Sequence, residues 1–241
     1  MLKEALPLSS FLLRLTALLC MIVDHAGLAL FPNVGLFRCV GRAAFPLYCF
    51  LLVQGYLHTR DLRAYMRRLL LLAILSEIPF DLLIFGSTVS LMEQNAVFSL
   101  LLGLLAVCAA DTMKARGAWP MAAAALLALS AMIMRVSYGW LPVALCLAFY
   151  YGRDRRSAAV LAAAGALLLY TLSLLLSGVA MSWVLVSLCA LLSLPPILLF
   201  NGNRGLRSPA LSLLFYAAYP LHILALLVIR ALRIVPPYFL G

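Results

Sequence analysis

The chain has 241 residues, 66% of them hydrophobic and 11% charged, with a mean hydropathy of +1.10. A soluble domain of this length is about half apolar and a quarter charged, and here the apolar excess runs from end to end, which excludes both an ordinary soluble domain and a soluble domain on a single anchor. The net charge of +10 does not point to nucleic acid, because the basic residues fall in short clusters between apolar runs, where they set membrane topology.

A spanning helix needs about 20 mostly apolar residues. Nine segments qualify: 9–31, 37–57, 66–86, 94–113, 118–134, 138–151, 157–176, 180–200 and 209–232. The expected fold is therefore all-α, a polytopic membrane bundle of about nine transmembrane helices forming one domain over residues 1–241. Run length and the lack of period-2 alternation argue against a barrel. The fifth and sixth segments are short and separated only by Arg135 to Gly139, so they read as two short spans or a re-entrant pair.

The first segment opens like a signal peptide. Its apolar run is too long for one, however, and lacks a clear small-residue cleavage site, so it reads as a retained helix. It also contains Arg14, Asp24 and His25. Ionisable groups at membrane depth cost roughly 2.5–3.5 kcal/mol each on insertion scales, which makes them functional candidates. Arg14 and His25 are eleven residues apart, about three full turns, so they share a helix face some 16 Å apart along the axis. Asp24 points about 100° away, toward a neighbouring helix, with Arg42 as a candidate partner.

In the second segment Pro46 should kink the helix. Gln54, His58 and Thr59 place polar groups at its inner end, where His58 also reads as an interfacial residue. Arg60, Arg63, Arg67 and Arg68 follow as the densest basic cluster. They suit the phosphates of an anionic cytoplasmic ligand and equally serve as a topology signal near anionic headgroups. The third segment carries Glu77 and Asp81, four apart on one face, with Arg42 or Arg135 as candidate partners for Glu77. Glu93-Gln94-Asn95 opens the fourth segment as a polar stretch suited to capping. The last segment places a kink at Pro220 and the imidazole of His222 in lipid-embedded sequence.

The six cysteines, at 20, 39, 49, 108, 146 and 189, form no CxxC pair and no Cys/His cluster, so they read as small packing residues and no metal site is expected. With the N-terminus in the cytoplasm, every inside segment is basic: Lys3; Arg60, Arg63, Arg67 and Arg68; Lys114 and Arg116; Arg153, Arg155 and Arg156; Arg204 and Arg207. The outside keeps Arg38, Arg42, Arg135, Arg230 and Arg233. This pattern predicts N-inside, C-outside in a cytoplasmic membrane.

The polar groups show no P-loop, no Ser/His/Asp order and no metal-ligand spacing. A histidine base, cations for a phosphorylated donor and a membrane passage suit acyl transfer. A transporter or flippase would also use buried charges and proline kinks, but the chain shows no obvious two-fold repeat. A non-catalytic assembly factor for a surface structure is a third reading.

The runs Met21-Ile22-Val23-Asp24-His25-Ala26-Gly27, Gly41-Arg42-Ala43-Ala44-Phe45-Pro46-Leu47, Gln54-Gly55-Tyr56-Leu57-His58-Thr59-Arg60 and Ser76-Glu77-Ile78-Pro79-Phe80-Asp81 resemble the TraX family. So do Tyr65 with Arg68-Leu69, Asn95 with Phe98 to Gly103, Tyr138-Gly139, and Tyr216 with Tyr219-Pro220-Leu221-His222. The spacing of Arg14 and His25 is similar to a first-helix motif of the acyltransferase type 3 superfamily. The resemblance implies acetyl transfer from cytoplasmic acetyl-CoA across the membrane, to the N-terminal amine of pilin in the family's namesake. For this chain it makes His25, Asp24 and Arg14 catalytic candidates. Arg60, Arg63, Arg67 and Arg68 become candidate acetyl-CoA contacts, and Arg42, His58, Glu77, Asp81 and His222 cavity candidates. The acceptor is then a pilin-like protein or another envelope amine or hydroxyl, which Glu77 and Asp81 would suit if cationic. One departure is that Arg135-Val136-Ser137 stands before Tyr138-Gly139, where the family pattern often has an acidic residue.

Overall fold

The computed structural model describes residues 7–206 and 208–232. Lys3, Arg207 and Arg233 of the basic pattern lie outside the described residues. Eleven α-helices and one 3-10 turn form the described chain, and it contains no strand beyond two isolated bridges. Five stretches are long and apolar enough to cross a membrane: Ser10–Leu30, Gly35–His58, Arg156–Leu176, Met181–Leu198 and Pro209–Ala231. Leu161, Leu168, Leu172, Leu213, Leu214 and Leu221 on these helices are exposed, as lipid-facing side chains must be. The chain falls into two compact units, described in turn.

The first unit comprises Met1–Tyr48, Ile78–Thr88 and Thr171–Gly241. Helix α1 (Ser10–Leu30) starts at Ser9, whose Oγ accepts from Leu12 N–H, the usual N-cap solution for an orphan donor. It packs on α2 (Gly35–Arg42) and on α11 (Pro209–Ala231). Two glycines permit the α1–α2 approach. A Cβ at Gly41 would fall on the Asp24 carboxyl, and one at Gly27 on the Phe37 side chain. Chain leading into α1 pairs with the segment before α11: Asn201 N–H donates to Leu8 O at 2.8 Å and Ser10 N–H to Asn203 O at 2.8 Å. The start of α1 and the Arg204 loop are thereby tied together.

The break between α2 and α3 (Ala44–His58) falls at Ala43. The Pro46 ring would clash with the carbonyl four residues back, at Arg42, and offers it no N–H. Interrupting the helix at Ala43 places Pro46 in the first turn of α3, where an N–H would lack a helical partner in any case. The expected kink is thus a break three residues earlier. The predicted 180–200 span is also interrupted, as α9 (Met181–Leu188), a 3-10 turn (Cys189–Ser193) and α10 (Leu194–Leu198), which carries Pro195 and Pro196 in its first turn. By contrast Pro220 lies inside a continuous α11.

The second unit comprises Cys49–Glu77 and Val89–Tyr170. It holds α5 (Ala96–Thr112), α6 (Trp119–Ile133) and α7 (Leu141–Tyr151), together with parts of α3, of α4 (Leu62–Phe85) and of α8 (Arg156–Leu176). Ala106, Ala124 and Val143 pack α5, α6 and α7 into one core. Asp111 fastens three C-terminal helix ends. It accepts from Tyr56 Oη at 2.8 Å and Tyr150 Oη at 2.6 Å, with Lys114 Nζ 3.5 Å away, and Arg153 stacks over the Tyr150 ring at 4.5 Å. At the opposite end of α5, Asn95 caps the helix through Val97 N–H. Beside it, Gln94 bridges to Val136 in the α6–α7 turn. That turn reverses the chain with Arg135, Tyr138 and Gly139 at positive φ, and Ser137 Oγ donates to Glu93 Oε1 at 2.7 Å. Glu93 therefore supplies a carboxylate to the turn that lacks an acidic residue of its own. At 11 residues, α7 is about 16 Å long, well short of a hydrocarbon core of about 30 Å.

Candidate functional site

The first unit assembles two polar groupings on adjacent residues of α1. Asp24, buried against α2, accepts from Arg38 Nη1 at 2.8 Å through Oδ2, and the same nitrogen donates to the Asp24 carbonyl at 3.1 Å. Arg42 Nη2 stands 4.0 Å from Asp24 Oδ1. Arg38 and Arg42 are one turn apart on α2, so both guanidinium groups reach the same carboxylate. The Arg38 guanidinium also lies 5.6 Å from the Trp183 ring centroid on α9. Arg42 is thus where the sequence placed it, but the nearer partner is Arg38. Its spacing from Arg42 was the available signal.

His25 turns instead toward α11. Its Nδ1 lies 2.6 Å from His222 Nε2. The ring centroids are 4.9 Å apart and the planes within 12° of parallel, the geometry of rings joined edge to edge by an in-plane hydrogen bond. His222 Nδ1 is 2.7 Å from the Ala218 carbonyl. A carbonyl only accepts, so His222 Nδ1 carries a proton. The Nε2 of neutral His222 then offers a lone pair, and the proton in the bond between the rings belongs to His25 Nδ1. Neutral His25 consequently has its lone pair at Nε2. These tautomers are assigned from the network of donors and acceptors. Tyr219 flanks both rings, at 6.3 Å and 5.8 Å.

The remaining candidates lie elsewhere. Arg14 is exposed on α1, three turns before His25. His58 is exposed at the end of α3 and donates from Nδ1 to Gln54 O at 2.8 Å, consistent with an interfacial residue. Arg60, Arg63, Arg67 and Arg68 are all exposed in the second unit, in the linker before α4 and along its first turns. Arg68 lies over Tyr65 at 5.8 Å. Glu77 Oε2 accepts from the Asn95 backbone N–H at 3.2 Å and from its side-chain amide, which also reaches Ala73 O at 2.8 Å. Asp81 is buried. Among the described residues no group of three or more His, Cys, Asp or Glu has metal-binding geometry.

A helical membrane protein with a paired-imidazole site is what this fold defines. Residues 9–230 match the TraX family (TraX protein), and the chain belongs to that family. It is 33% identical over 233 residues to the "Probable fimbrial assembly protein FimC, serogroup H1" of Dichelobacter nodosus, with 89% of this chain and 93% of that protein covered. No solved structure matches it.

Proposed function

We propose that the protein is a membrane acetyltransferase. It moves an acetyl group from cytoplasmic acetyl-CoA to an acceptor of a bacterial envelope, the N-terminal amine of a pilin-like protein or another amine or hydroxyl. The observation that carries this reading is the His25–His222 pair. With Nδ1 committed to His222, the Nε2 lone pair of His25 is the base. It takes the acceptor's proton as the acceptor nitrogen or oxygen bonds to the acetyl carbon. The carbon–sulfur bond of the thioester breaks, and the proton passes to the departing CoA sulfur. Arg38 and Arg42 together carry one positive charge more than Asp24 neutralises, which suits the negative charge that develops on the acetyl oxygen. Arg14, on the His25 face of α1, is a proposed catalytic cation, and the exposed Arg60, Arg63, Arg67 and Arg68 of the second unit are the proposed phosphate contacts of the donor. Membership of the TraX family supports the class of reaction, and the fimbrial relative supports a pilin-like acceptor in the inner membrane of a bacterium.

A second reading, a non-catalytic factor in building a surface structure, is favoured by the D. nodosus relative's name. One experiment separates the two. Membranes with and without the protein are given labelled acetyl-CoA, and transfer to envelope protein is followed. Protein-dependent labelling should fall about 10²–10⁴-fold in His25→Gln, the loss expected for a general base, with the variant at normal abundance. Gln keeps hydrogen-bonding capacity but cannot cycle a proton. Absence of protein-dependent label, with surface structures lost only when abundance falls, would establish the assembly reading instead.

A further inference from the structure

We propose that Cys39 and Cys189 are a disulfide site that locks α2 to the 3-10 turn after α9. The two residues are 150 positions apart, and their sulfurs face each other at 2.6 Å, about 0.6 Å beyond a covalent S–S bond. Helix α2 packs directly on both α9 and the turn that begins at Cys189, whereas the thiol contact of Cys49 with Cys146 lies within the second unit. Cys39 follows Arg38 in sequence, and Arg38 bridges Asp24 on α1 and Trp183 on α9. A covalent link at Cys39 therefore fixes the helix that carries both guanidinium partners of Asp24. The site goes beyond acetyl transfer, although the choice of oxidant rests on the N-inside orientation, which puts the loop before α2 on the outer face.

On that face a thiol–disulfide exchange protein or small disulfide is the oxidant, as is usual in a bacterial periplasm. One cysteine thiolate attacks the oxidant's disulfide and releases one thiol. The second cysteine then displaces the resulting mixed disulfide and releases the other. Two protons and two electrons leave Cys39 and Cys189 and appear as the two thiols of the reduced oxidant.

The test uses the full chain in native membranes, quenched in acid and unfolded before thiols are counted with a mass-tagged maleimide. The chain has six cysteines. Without reductant we expect four tags, on Cys20, Cys49, Cys108 and Cys146, and with reductant six. Cys39→Ser and Cys189→Ser should each give five tags under both conditions. Six tags on the wild-type chain without reductant overturn the disulfide, as does a single variant that gives three, because the bond then lies between two other cysteines. Orientation is read separately. In a Cys39→Ser, Cys189→Ser background, Asn33→Cys in the exposed loop before α2 should add one tag from a membrane-impermeant maleimide applied to the outer face. Reaction only in inverted vesicles rejects the orientation, while the tag count still decides the disulfide.

Discussion

At the scale of single residues, the pairing of His25 with His222 assigns them different tasks. Under the proposed transfer, His25 offers its Nε2 lone pair, and His222 acts through it by accepting the Nδ1 proton and so fixing the tautomer, as the partner of a catalytic histidine commonly does. His222→Ala should lower kcat by about 10–10²-fold, a smaller loss than that of the base itself, with donor KM unchanged. His222→Gln presents a carboxamide oxygen to the same proton and should recover most of the rate. Equal rates for the Ala and Gln variants in an acetyl-transfer assay would reduce His222 to a packing residue. The sequence marked both histidines, since each is an ionisable group in an apolar run. It could not pair them, because they lie 197 positions apart and no periodicity within either helix refers to the other. Asp24 is the complementary case. Its 100° offset from His25 pointed to a neighbouring helix and to Arg42, and the one-turn spacing of Arg38 from Arg42 was the local hint of a second partner, but that Arg38 stands closer depends on how deeply α2 settles on α1 through Gly41 and Gly27, a packing outcome.

At the scale of elements, apolar run length located the helices well and their interruptions less well. Pro46 was legible as a perturbation, but the break falls at Ala43 because the steric conflict lies with the carbonyl of Arg42. Pro220 looked equivalent in sequence and leaves α11 unbroken. The short 138–151 run became the 11-residue α7, held by Asp111 and the core of Ala106, Ala124 and Val143. Helix α4 joins a basic start to an apolar body, and its first turns test the donor reading. Arg63 and Arg67 are four apart and so share a face of α4, and Arg68 is exposed beside them. Replacing Arg63 and Arg68 together with Gln should raise the KM for acetyl-CoA about tenfold or more, because a charge-assisted phosphate bond contributes about 1.5–3 kcal/mol and tenfold corresponds to about 1.4 kcal/mol. Acceptor KM should change little. An unaltered donor KM in a normally inserted double variant would return these arginines to a purely topological role.

At the scale of the whole molecule, the basic clusters and the polar ties inside each unit give independent accounts of sidedness. In the first unit, hydrogen bonds from residues 8–11 to residues 199–204 hold the start of α1 beside the Arg204 loop, so an even number of crossings separates them. In the second, Asp111 gathers the ends of α3, α5 and α7, and therefore brings together the segments that follow them, which carry Arg60, Lys114 and Arg153. The Ser137–Glu93 bond keeps the start of α5 with the α6–α7 turn, at the other end of α5. Charge counting along the chain groups the same segments without reference to any contact, and the positive-inside rule assigns them to the cytoplasm. A single cysteine introduced beside Arg153, and another beside Arg204, in a chain otherwise free of cysteine, should therefore both resist an impermeant maleimide on intact cells and both react in inverted vesicles. If only one reacts from outside, an odd number of crossings lies between residues 153 and 204 and the nine-span arrangement is wrong. If both react from outside, the alternation survives with its sign reversed, and the Arg60 to Arg68 cluster could not meet a cytoplasmic acetyl donor.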